Sequence, residues 1–149
     1  MIRKANVNDV KQIYKLVNHY ASRDKMLPRS LNELYENIRD FFVYCEGKRL
    51  YGCCALHIDW EDLGEIKSLA VAASRLRRKV GTRLLGHCIK EAGQLKLKKI
   101  FALTFVPGFF EKMGFKFIDK QDLPHKIWSE CIKCVHFPDC SESALLKEL

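Results

Sequence analysis

The spacing of apolar positions changes repeatedly along the chain, and each change marks an element. Residues 2–5 read as a short strand. Asn8 or Asp9 offers an N-cap, and Val10, Ile13, Val17 and Tyr20 follow at helical spacing to about Ser22. Residues 23–28 read as a loop. Ser30-Leu31-Asn32-Glu33 matches a capping box, and Leu34, Tyr35 and Ile38 carry a second helix to about Asp40. Phe41–Glu46 and residues 49–58 form a hairpin about Gly47-Lys48, and residues 59–63 turn again. Residues 65–71 make a strand too apolar at its end for a sheet edge. Val80, Leu84, Cys88, Ala92 and Leu95 line one face of a third helix, and Lys99–Thr104 is a strand of buried type. Pro107 suits the first turn of a short helix that Gly114 ends. Residues 115–118 and a segment near 128–135 complete the strands. The order β-α-α-β-β-β-α-β-α-β-β predicts one α/β domain over residues 1–149. Its mixed sheet has about six or seven strands with helices on both faces.

The segment 64–95 carries the first chemistry. An apolar strand enters a basic, glycine-containing turn that opens directly into an amphipathic helix. Backbone N–H groups and a positive helix end then face an anion, which suits a pyrophosphate. Arg75, Arg77, Arg78, Lys79 and Arg83 cluster here in a chain of net charge +8. That charge is either a solvated basic surface or an attraction for a phosphorylated ligand. No nucleic-acid recognition motif accompanies it, and the aromatics fall in apolar strand patterns, so nucleic acid is set aside. Glu65 begins the strand, which places a potential base close to the phosphate turn.

Composition narrows the class. Apolar residues make up 48% and charged residues 30% of 149 residues, which is ordinary for one soluble domain. No apolar run approaches the ~20 residues of a membrane helix, and the N-terminus lacks the apolar core of a signal peptide. The sequence reads as cytoplasmic and without a membrane partner. Seven cysteines, an odd number without a secretion signal, argue against a disulfide framework. Cys45, Cys53, Cys54 and Cys88 lie in apolar patterns as small core residues. Cys131, Cys134, His136 and Cys140 have ligand spacing for a structural zinc, with His125 in reserve. The preferred reading of the same residues is reduced thiols packing a C-terminal tail, so no metal is assigned; a redox pair is a third option.

The element order, the segment 64–95 and Phe109-Phe110-Glu111-Lys112-Met113-Gly114-Phe115 resemble the GNAT superfamily of acetyl-CoA-dependent N-acetyltransferases. More narrowly, Leu27-Pro28-Arg29-Ser30, Gly64 to Val71, Leu103-Thr104 and Leu123-Pro124 resemble the acetyltransferase domain of bacterial N-acetylglutamate synthases. Those enzymes acetylate the α-amino group of L-glutamate and open arginine biosynthesis. The resemblance implies a stand-alone form of that domain, with a mostly antiparallel sheet. The superfamily's phosphate turn is Q/R-x-x-G-x-G/A. Here Leu76 and Lys79 replace its first and fourth positions, and only Gly81 is kept.

The resemblance also assigns residues. Leu69, Ala70 and Val71 would hold the pantetheine arm through backbone groups, with an N–H of Leu69 or Ala70 stabilising the oxyanion. Arg77, Arg78, Lys79, Val80, Gly81 and Thr82 would hold the pyrophosphate. Many members carry a tyrosine acid in the helix after the fifth strand. Phe109 and Phe110 stand there and would contact the cofactor without supplying a proton. Glu65 is the candidate general base, directly or through a water. Arg29 would bind the α-carboxylate, and Lys67 is a second carboxylate ligand because a central-strand lysine is costly to bury unpaired. Lys133 is assigned to the side-chain carboxylate, with Lys126 as a competitor. Superfamily members often form homodimers, and no residue here marks an interface. Acetylation of another amine, or CoA binding without catalysis, are the alternative functions.

Overall fold

A computed structural model describes residues 1–23, 25–122 and 142–149. Seven strands among them form one sheet in the order β1-β2-β3-β4-β5-β7-β6. The strands are β1 (Ile2–Lys4), β2 (Phe41–Glu46), β3 (Arg49–Trp60), β4 (Leu63–Val71), β5 (Lys99–Thr104), β6 (Lys116–Ile118) and β7 (Ser143–Glu148). Every pair is antiparallel except β4 with β5. The helices are α1 (Val10–Ala21), α2 (Leu31–Glu36), α3 (Val80–Gln94) and α4 (Pro107–Lys112).

Both sheet faces are covered, which explains why β2 and β3 are apolar almost throughout. On one face Val10, Ile13 and Val17 of α1 and Leu34 of α2 pack on Phe41, Val43, Cys53, Ala55 and Ala70. On the other, Val80, Leu84, Leu85, Cys88 and Ala92 of α3 pack on Phe42, Cys54, Leu56, Ile66 and Val71. The fit of α3 is close: a Cβ at Gly52 would stand 3.0 Å from Leu84 Cδ1. Cys53, Cys54 and Cys88 are buried free thiols, and burial raises Cys53 to about 12. Among the described residues, no helix is long and apolar enough to cross a membrane.

Several boundaries differ from the sequence reading. A 310 turn at Val7–Asp9, capped by Asn6, precedes α1; Asp9 is the N-cap position of α1 but makes no side-chain cap hydrogen bond to it. The capping box at Ser30 and Glu33 is present, but α2 stops at Glu36 and a separate 310 turn spans Ile38–Asp40. The hairpin between β3 and β4 is tighter, because β3 continues to Trp60 and β4 begins at Leu63. Leu95 is exposed beyond the last turn of α3. Gly114 has φ +92° after α4, the left-handed geometry that favours glycine. The strand expected near 128–135 lies outside the described residues, and β7 occupies Ser143–Glu148 between β5 and β6.

Asp9 anchors the first strand to the entry of α1. It accepts from Arg3 Nη1 at 2.8 Å and Nη2 at 2.9 Å, and from the Asn6 N–H at 2.8 Å. The carboxyl is buried, and the Arg3 hydrogen bond holds it below the usual carboxylate range. Asp9→Ala should lower the unfolding free energy by about 2 kcal/mol in a urea titration, since a cap and a bidentate ion pair are lost together. An unchanged midpoint would contradict this anchor.

Candidate active site

The functional residues gather where β4 leaves β5. Parallel pairing runs from Leu63 with Lys99 to Ile66 with Ala102 and then ceases, although β4 continues to Val71. At the same point the β3–β4 register slips: Ala55 pairs with Lys67, but Cys53 pairs with Ala70. Ser68 absorbs the extra residue with φ +54°, a left-handed conformation uncommon for serine. Beyond the bulge, the Ala72 N–H donates to the Tyr51 carbonyl of β3. Strand alternation then turns the peptide groups of Val71 and Leu69 away from β3, toward the side that β5 has left. The Tyr20 hydroxyl of α1 takes the Val71 carbonyl there.

The basic turn follows directly. It is a 310 turn over Ala73–Arg78. Lys79 joins it to α3 with φ +56° and ψ +30°, again left-handed. Val80, Gly81 and Thr82 contribute first-turn N–H groups that no helical carbonyl can reach. Such a helix start can hold an anion by its geometry and its dipole. Gly81 leaves room beside Val71 and Phe109, whose Cζ would lie 3.7 Å from a Cβ there. Phe109 therefore borders the helix start, whereas Phe110 is buried between Phe109 and Phe115 and supports from within. Arg75 donates from Nε to Glu46 at 2.6 Å and stacks 4.1 Å over the Tyr51 ring. Arg78 reaches the same carboxylate at 3.5 Å. The Arg75 hydrogen bond, above all, lowers the Glu46 carboxyl to about 2.

The face carrying α1 and α2 supplies the second half. Glu65 is buried on β4, with His57 opposite on β3 and Phe101 opposite on β5. Lys67, two residues on, places Nζ 3.8 Å from Glu65 Oε1. Arg29 enters from the loop before α2, donating from Nε to Ser68 Oγ at 3.4 Å and pairing with Glu33 at 3.7 Å. Arg29, Lys67, Ser68, His57 and Asp40 line one shallow cleft that opens to solvent. His57 Nδ1 lies 2.7 Å from Asp40 Oδ2, and that hydrogen bond raises the imidazole above its ordinary value. A buried carboxylate paired with an ammonium group, beside a cleft that the same ammonium shares with a guanidinium, can accept a proton and bind a small anion.

Residues 7–115 match the acetyltransferase (GNAT) family. The chain belongs to that family. It is an acetyl-CoA-dependent N-acetyltransferase. It is 35% identical to an uncharacterised N-acetyltransferase of Chlorobaculum tepidum over 99% of this chain and 96% of that one. It is 34% identical to the amino-acid acetyltransferase of Mycobacterium tuberculosis over 87% of this chain and 76% of that one. Among solved structures, N-acetylglutamate synthase of Neisseria gonorrhoeae, complexed with coenzyme A and N-acetyl-glutamate, superposes with TM-score 0.92 at 28% identity. That match covers all of this chain and 35% of the synthase.

For this GNAT acetyltransferase, the structure brings Glu65, Lys67 and Arg29 together on one face, with Leu69, Val71, Lys79, Val80, Gly81, Thr82 and Phe109 around the open end of β4. Ala70 is buried against α1, so only its backbone remains relevant. Arg77 lies within the 310 turn. Lys133 and the zinc candidates Cys131, Cys134, His136 and Cys140 lie outside the described residues, as do His125 and Lys126. Sequence reasoning missed Ser68, His57 with Asp40, and the Glu46 partner of Arg75. A lone serine or histidine on a strand carries no signal of its own. Lys79→Gly should raise the unfolding free energy by about 0.5–1 kcal/mol in urea, by relieving the left-handed lysine. Lys79→Ala should give no such gain, and equal effects of the two would refute the strain.

Proposed function

We propose that this acetyltransferase acetylates the α-amino group of L-glutamate, the reaction that opens arginine biosynthesis. The observation that carries the reading is the pairing of Lys67 with the buried Glu65, on the face where Lys67 and Arg29 line one cleft. The cations suit an amino-acid carboxylate, and the carboxylate suits its amine. The relatives support the same reading, since several are named amino-acid acetyltransferase and one solved neighbour contains N-acetyl-glutamate.

Acetyl-CoA supplies the acetyl group as a thioester. The open edge of β4 beyond Ile66 and the first turn of α3 fit its pantetheine arm and pyrophosphate, with Arg78 and Lys79 adding charge. Arg29 holds the α-carboxylate, and Lys67 is the second cation. Lys133 remains the assignment for the side-chain carboxylate. Glu65 takes a proton from the substrate ammonium, directly or through one water, and frees the nitrogen lone pair. The Leu69 N–H stabilises negative charge on the carbonyl oxygen as the carbon–nitrogen bond forms and the carbon–sulfur bond breaks. Phe109 and Phe110 supply no proton, so the leaving sulfur is protonated from solvent or from the amine.

Thiol release from acetyl-CoA across the twenty amino acids and a polyamine panel tests the reading. L-Glutamate should be turned over selectively. Glu65→Gln should lower kcat by about 10²–10⁴-fold. Arg29→Ala and Lys67→Ala should raise KM for L-glutamate by about tenfold or more and leave KM for acetyl-CoA unchanged. Selective turnover of another amine would replace the substrate. CoA binding with no turnover of any acceptor would replace the enzyme by a sensor.

A further inference from the structure

The acceptor cleft contains one histidine to which the chemistry above gives no role. Its charged lining consists of two cations, Arg29 and Lys67, two carboxylates, Glu33 and Asp40, and His57. The first four balance, so His57 decides whether the lining is neutral or carries one positive charge. Its ring is fixed rather than free to turn, because Nδ1 sits 2.7 Å from Asp40 Oδ2. An ionised carboxylate only accepts, so Nδ1 carries the hydrogen. Nε2 is then the nitrogen left for a ligand. It is a lone-pair acceptor when the ring is neutral and an N–H donor when the ring is protonated. A neutral His57 therefore opposes a bound carboxylate, and a protonated one donates to it. We propose that His57, oriented by Asp40, is a specificity-determining residue of the acceptor cleft, whose protonated ring supplies a third cation for an acceptor carboxylate.

The surroundings favour that state more than water does. The Asp40 hydrogen bond raises the ring's affinity for a proton most, and the charges of Asp40 and Asp59 add to it. Burial and the Lys67 ammonium oppose it. Glu65 is the cross-strand partner on β4, and Glu33 faces the same cleft from α2. The inference rests on the glutamate reading of the cleft, and its test separates the two. N-Acetyl-L-glutamate is the probe, because it has both carboxylates and no titratable amine. Its dissociation constant for the CoA-saturated protein is measured by calorimetry between about pH 6 and about pH 9. It should weaken by about three- to tenfold as pH rises through the His57 titration. His57→Gln should bind as weakly as the high-pH wild type at both ends and lose the slope. Asp40→Asn should move the transition to lower pH. The wild-type His57 imidazole signal in proton NMR should titrate at higher pH when N-acetyl-L-glutamate is bound, by linkage, and this needs no variant to fold. A pH-independent dissociation constant, an unshifted imidazole titration, or a slope retained in His57→Gln overturns the assignment alone. No binding of N-acetyl-L-glutamate at any pH overturns the glutamate reading and this inference with it.

Discussion

The left-handed Ser68 is the constraint on which the site depends. One extra residue in β4 shifts its register against β3 and ends its pairing with β5 at Ile66. A buried parallel strand would normally spend its amides on its neighbours. Here the amides beyond the bulge face a side that β5 has left. Two neighbours on the α1 and α2 face hold the serine: Cys53 Sγ donates to its carbonyl at 3.3 Å, and Arg29 Nε donates to its hydroxyl at 3.4 Å. The bulge that opens the strand thus also fixes an arginine of the acceptor cleft. Backbone strain of about 1–3 kcal/mol at such a residue persists only where its surroundings over-determine it.

Charge in the site is arranged in pairs. Arg29 faces Glu33, Lys67 faces Glu65, His57 faces Asp40, and Arg75 faces Glu46. Pairing makes it possible to keep a lysine on a central strand, where a lone ammonium would be costly to bury. It also orients each cation before a ligand arrives, which reduces the side-chain entropy lost on binding. The two halves of the site use different physics. The proposed phosphate half would rely on backbone N–H groups at the start of α3, and the proposed acceptor half on side chains from the loop before α2, β3 and β4.

Much of this was legible from the sequence, and the rest failed for identifiable reasons. The helical spacing of Val10, Ile13 and Val17, the capping box at Ser30 and the strand–turn–helix leading to Val80 are local signals, and they placed α1, α2, β4 and α3. Glu65 and Lys67 stood out as charges on a central strand, and Arg29 was named through the family resemblance of Leu27-Pro28-Arg29-Ser30. β7 was not, because a short segment far along the chain reveals neither its partner nor its insertion between β5 and β6. The bulge was missed because its left-handed residue is serine and not glycine. The His57–Asp40 pair joins residues on different elements, and only the tertiary register brings them together.

The central claim is that β4 beyond Ser68 offers its backbone to the cofactor. Residue-resolved amide hydrogen exchange with and without CoA tests it most directly. The account predicts that Leu69 and Val71 exchange readily in the free protein and become protected when CoA binds, with the first-turn amides of Val80, Gly81 and Thr82. Saturating CoA binding with unchanged exchange at Leu69 and Val71 would contradict it.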